Sequence, residues 1–90
     1  MSSDNAVIIL HTLGDEYRVA HVMGPDNYLL DDKGKETSDP DIQIKNARDI
    51  WSGSKVFRVK EDAWIEAHRI YDEFGWTEYG LLEVNIDRKF

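Results

Sequence analysis

Ala6 to Leu13 is apolar almost without interruption, which predicts a strand buried on both faces. Leu13-Gly-Asp-Glu16 reads as a hairpin turn, with Gly14 supplying a positive φ. Tyr17, Val19, His21 and Met23 then alternate with Arg18, Ala20 and Val22 along a second strand. Gly24-Pro-Asp-Asn27 is another turn, with Pro25 preset for its second position, and Tyr28 to Leu30 completes a three-stranded antiparallel meander. Asp31 to Asp39 is a polar loop, the segment with the greatest expected mobility.

Two helices follow. The first starts where Ser38 or Asp39 can cap it, Pro40 suits the first helical position and Asp41 meets the positive end of the dipole. Ile44, Ala47, Ile50 and Trp51 form its apolar stripe, and Gly53 is a natural stop. Lys55 to Lys60 has strand composition. Between Glu61 and Phe74 the apolar residues Ala63, Ala67, Ile70 and Phe74 recur every three or four positions, one stripe of a helix widened by Trp64 and Tyr71. Glu66, Arg69 and Glu73 lie on the opposite side at pairing distance, and Gly75 ends the helix. Tyr79 to Ile86 is apolar and β-prone again.

The order β-β-β-α-β-α-β predicts an α+β two-layer sandwich. Its sheet is mixed and mainly antiparallel, and both helices lie on one face. The chain is expected to form a single compact domain over 1–90, with residues 1–5 a disordered N-terminus.

Composition narrows the chemistry. With no cysteine, disulfides, thiolate zinc sites and cysteine nucleophiles are excluded together. A net charge of −7 opposes non-specific binding of nucleic acid or membrane by the whole surface and favours cationic partners. No apolar run approaches the roughly 18–20 residues of a membrane span. The polar start lacks the features of a secretory leader. The chain is therefore expected to be cytoplasmic, in the host cytoplasm if it is viral.

The charge is polarised along the sequence. From Asp26 to Asp41 six acids stand against Lys33 and Lys35, a local charge of −4. From Lys45 to Lys60 five bases (Lys45, Arg48, Lys55, Arg58, Lys60) stand against Asp49, a local charge of +4. The basic segment would make an anion or RNA site if the helix end and the strand face converged. The acidic loop fails the calcium-loop pattern, because placing Gly34 sixth puts Leu29 first. Its carboxylates suit a second use, standing in for phosphates at a partner's nucleic-acid site.

His11 and His21 flank one hairpin and would face each other across it, but nothing supplies a third metal ligand. No nucleophile elbow, phosphate loop or dinucleotide motif is present. Of the aromatics, Trp51 and Trp64 fall on apolar helix faces, whereas Trp76, Tyr79 and Phe90 are expected at the surface.

The resulting expectation is a small acidic, non-catalytic accessory or inhibitory protein that binds another protein with a basic surface. Its sharpest form is a phage-type inhibitor of a host nucleic-acid-handling or defence complex. Asp31, Asp32, Glu36 and Asp39 would steer the partner, and Trp76 and Tyr79 would anchor it. No cofactor or metal is expected. The alternatives are an anion- or RNA-binding module using Lys45, Arg48, Lys55, Arg58 and Lys60, and a small enzyme with a histidine–carboxylate site. An open sheet edge would offer a route to a homodimer.

Overall fold

The structure, a computed structural model, describes residues 4–75, 77 and 79–90. A mixed four-stranded sheet carries two helices. The strands are β1 (Asn5–Thr12), β2 (Glu16–Met23), β3 (Val56–Phe57) and β4 (Leu81–Ile86), and the helices are α1 (Pro40–Ile50) and α2 (Lys60–Phe74). Strand order is β3-β2-β1-β4, with β1 antiparallel to β2, β2 antiparallel to β3, and β1 parallel to β4.

β1 is the centre. Ala6, Ile8 and Leu10 pack with Ile44, Ala47 and Trp51 of α1 in one core. Val7 and Ile9 pack with Ala63 and Ala67 of α2 in the other. Successive strand residues point to opposite faces. The two helices therefore cover opposite faces of the sheet, which corrects the expectation that they share one. The reason lies in β1 itself: an unbroken apolar strand has two faces to bury, and one helical layer covers only one.

The loop after β2 holds the second difference. Tyr28 to Leu30 is not a strand. Asn27–Leu29 forms a 3-10 turn continued from the proline turn, through Asn27 N–H to the Gly24 carbonyl and Leu29 N–H to the Asp26 carbonyl. The side chain of Asn46 on α1 donates to the carbonyls of Tyr28 and Leu30, at 3.0 and 2.7 Å, and so takes the acceptors a ladder would need. A single bridge, Leu30 to Glu36, closes the loop. The polar segment is thus fastened at both ends.

β3 is shorter than the Lys55–Lys60 span expected. Val59 already has cap geometry and Lys60 is helical, with Glu61 and Asp62 in the first turn, where carboxylates favour a helix start. Gly75 ends α2 in the left-handed conformation, at φ 70°. Asp39 caps α1 by accepting from Asp41 N–H at 2.9 Å, with Pro40 in the first turn. That helix stops at Ile50, before Gly53, with Trp51 as its cap residue. At the other end of the chain, Asn5 opens β1 and is buried, so the expected disordered stretch is not disordered at Asn5.

Trp51 is fully buried and its indole N–H reaches the Ile8 carbonyl at 3.3 Å. Thr12 is buried with its hydroxyl unpartnered. Trp51→Ala should lower the unfolding free energy by about 3–5 kcal/mol, read as a fall in the urea midpoint at unchanged slope. Thr12→Val, which removes a buried unsatisfied hydroxyl at constant shape, should leave that midpoint unchanged or raise it.

Candidate functional site

The charged residues divide into those the fold engages and those it leaves outward. All five arginines have partners. Arg18 is buried between the Glu16 carboxylate, at 3.1 Å, and the ring of Phe90, whose centroid lies 3.7 Å from its guanidinium carbon. Glu16 also takes Arg58 at 3.3 Å. Arg48 donates to the main-chain oxygens of Phe90 and Lys89 at 2.6 and 3.3 Å. Arg69 pairs with Glu66 and Glu73 along α2, and Arg88 with Asp41 at 2.7 Å. Lys60 meets Glu83 at 3.3 Å.

The basic segment consequently does not assemble. Lys45 and Arg48 ride on α1, over one face of the sheet, while Phe57 of β3 packs into the opposite core under α2. Arg48, Arg58 and Lys60 are held by the oxygens just named. Lys55 lies over the Phe57 ring at 5.4 Å. With Arg58 it borders a shallow groove of about 440 Å³ floored by Val56, Val59 and Ile65.

In the acidic loop the four carboxylates take different positions. Asp31 is half-buried and accepts from the amides of Lys33 and Lys35, at 2.8 and 3.0 Å, an Asx turn that shapes the loop. Asp39 caps α1. Asp32 and Glu36 are exposed. Asp39 is exposed as well, so three of the four steering candidates face solvent, while Asp31 and Asp39 also use a carboxylate oxygen in building the loop and the helix start.

A second surface lies at the end of the sheet where β1 begins. Met23 pairs with Asn5, and Tyr79 N–H bonds the Asn5 carbonyl at 3.0 Å, so the two residues flank one strand end. His21 lies two residues from Met23 and stacks on Phe74 at 3.9 Å. Met23, Phe74 and Tyr79 are 62, 52 and 52% exposed. Asp4 and Asp26 are exposed beside them, with the Gly24 amide bonded to the Asp4 carbonyl at 2.8 Å. This is an apolar centre with an acidic border. Trp76 lies outside the described residues. Met23 and Phe74 were missed: Phe74 continues the apolar stripe of α2, and nothing in its spacing signals that the last helical turn overhangs the sheet.

The histidines do not face each other across the hairpin. His11 pairs with Tyr17 and stacks on it at 4.4 Å; His21 pairs with Val7. His11 borders a cleft of about 300 Å³ at the hairpin tip, with one ring nitrogen 2.9 Å from Asn85 and the other 3.4 Å from Asp15. Both nitrogens are thus engaged, and no serine or lysine lines the cleft. Among the described residues no cluster of three or more histidine or carboxylate side chains is placed to hold a metal ion, and no helix is long and apolar enough to cross a membrane.

No family model matches the chain, and no curated protein or solved structure matches it. The functional reading rests on these surfaces.

Two predictions separate the roles of the carboxylates. Asp31→Ala should cost about 1 kcal/mol and speed hydrogen exchange at the Lys33 and Lys35 amides, whereas Asp32→Ala should shift stability by less than about 0.5 kcal/mol. On α2, the hydrogen bond from Arg69 holds the Glu66 carboxyl below its ordinary range. A carboxyl depressed in the folded state contributes stability that is present above its unfolded pKa and is lost as the pH falls through the folded one. The gap in urea midpoint between wild type and Glu66→Gln should therefore persist at pH 7 and close below about pH 4.

Proposed function

We propose that this chain is a small, non-catalytic accessory or inhibitory protein that acts by binding another protein. The observation that carries the reading is the pairing of an exposed apolar end, Met23, Phe74 and Tyr79, with an acidic border. Protein-binding hot spots have this anatomy, a few large apolar anchors surrounded by polar groups. With 18 acidic against 11 basic residues, and each arginine already paired with an oxygen, the outward field is dominated by carboxylates, including Asp32 and Glu36 of the braced loop. Such a field draws a basic partner surface and speeds its approach. A partner that ordinarily holds nucleic acid has that character. Blocking its phosphate-binding surface, as a phage-encoded inhibitor of a host complex would, is the sharpest form of the proposal.

The same charge map weighs against the anion-binding alternative, since only Lys45 and Lys55 of its five bases lack an oxygen partner among the described residues. A fluorescence titration with short RNA and DNA should show no salt-sensitive binding in the micromolar range. Such binding, lost in Lys45→Glu/Lys55→Glu, would reverse the ranking.

The main test is affinity capture from an extract of the source organism, with wild type, Phe74→Ser/Tyr79→Ser and Asp32→Lys/Glu36→Lys as baits. A specific partner should fall at least about ten-fold with the apolar variant. With the charge-reversed variant its association should slow, as it should for wild type when salt rises from about 0.05 to 0.3 M. A partner retained equally by all three baits would remove both surfaces from the reading.

A further inference from the structure

The two edges of the sheet differ in a way that selects a partner. The β3 edge is closed to strand addition. β3 spans two residues between Lys55 and Arg58, and the Ser54 hydroxyl donates to the Val19 carbonyl of β2 at 2.9 Å, next to where β3 stops. Short, lysine-flanked edges of this kind resist pairing. The β4 edge has none of these devices. It runs six residues, Leu81 to Ile86, with no proline and no lysine.

The outward groups of β4 follow from its register. Val7 pairs with Leu81, and the carbonyls of Gly80 and Arg88 accept from the Val7 and Leu13 amides of the β1 side. In a parallel ladder that phase turns the backbone of Leu82, Val84 and Ile86 toward β1. The N–H and C=O groups of Leu81, Glu83 and Asn85 then point away from the sheet. Among the described residues nothing hydrogen-bonds them. This edge is also electrically quiet in an acidic chain. Its single charged residue, Glu83, has an opposite charge beside it, Lys60 at 3.3 Å, which offsets its charge only in part. A basic partner would be drawn elsewhere, whereas a second acidic copy needs a weakly charged place to approach.

We infer that two copies of the chain pair through β4, antiparallel about a two-fold axis, to make one continuous eight-stranded sheet. The phase of the ladder limits the registers, because outward residues must meet outward residues. The register centred on Val84 places Val84 against its own copy and Leu82 against Ile86 of the second copy, on the face covered by α1. On the other face it sets Glu83 against Asn85. The neighbouring register centred on Glu83 would place two glutamates side by side, which like-charge repulsion disfavours. The one centred on Leu82 would set Val84 against Gly80 and leave its side chain without a cross-strand contact.

Sedimentation and light scattering of the full chain over a concentration series test the inference. The expected result is a mass rising to twice 10.5 kDa. Because both copies are acidic, added salt should strengthen this self-association, opposite to its effect on capture of a basic partner, so the two proposals fail separately. Glu83→Pro removes one outward N–H and leaves the bonds to β1. It should raise the dimer dissociation constant at least about ten-fold with an unchanged circular dichroism spectrum. The chain has no cysteine, so single substitutions report the register directly. Val84→Cys should form an interchain disulfide under mild oxidation, since directly opposed residues of this kind lie about 4.5 Å apart. Leu82→Cys and Glu83→Cys should not. A mass that stays monomeric up to about 0.5 mM, or a dimer in which Val84→Cys fails to cross-link, would overturn the proposal. The first result would leave the edge to an extended segment of another protein.

Discussion

The rest of the structure depends on the burial of β1 on both faces. Its alternate residues enter two separate cores, Ala6, Ile8 and Leu10 on one side and Val7 and Ile9 on the other. A strand of that composition must be covered twice, and the chain supplies one helix for each side. The helices are fitted differently. Ala63 and Ala67 let α2 lie close to the sheet, while α1 brings Trp51 into contact and uses its indole N–H to meet a strand carbonyl. Close packing of small residues on one side and a single large aromatic on the other are two ways of filling an interior to the same density.

Much of this was legible in the sequence. The caps of α1, the glycine that ends α2, the helical stripes and the first hairpin are local signals, carried by residues within a turn of where they act. The placement of the helices was misread: the apolar run of β1 implied two faces to cover, yet the order of elements was read as putting both helices on one, because that order does not say which face a helix takes. Tyr28 to Leu30 failed for a different reason. Three apolar or aromatic residues resemble a short strand, and only Asn46, eighteen or sixteen residues away, claims the carbonyls that a strand would use.

The candidate surfaces were less legible, because charge in a sequence does not reveal its partners. Asp31, Asp32, Glu36 and Asp39 look alike as letters. In the fold Asp31 shapes a turn and Asp39 caps a helix, so their carboxylates organise backbone before they meet anything outside. The basic segment behaves similarly. Arg18, outside that segment, proves to be a buried strut between Glu16 and Phe90. Exposure of Phe74 depends on where a helix ends relative to a sheet, a tertiary quantity with no sequence period.

The parallel pairing of β1 with β4 has a consequence for the order of events during synthesis. His11 and Asn85, hydrogen-bonded neighbours in the finished sheet, are separated by 74 positions along the chain. The β1–β2 hairpin is local and forms within microseconds, but the other side of β1 stays open until the final strand arrives. On a ribosome this apolar strand is therefore made well before β4, the strand that seals its second side. Throughout elongation it carries an unpaired edge, the condition under which nascent chains associate with one another or recruit a chaperone.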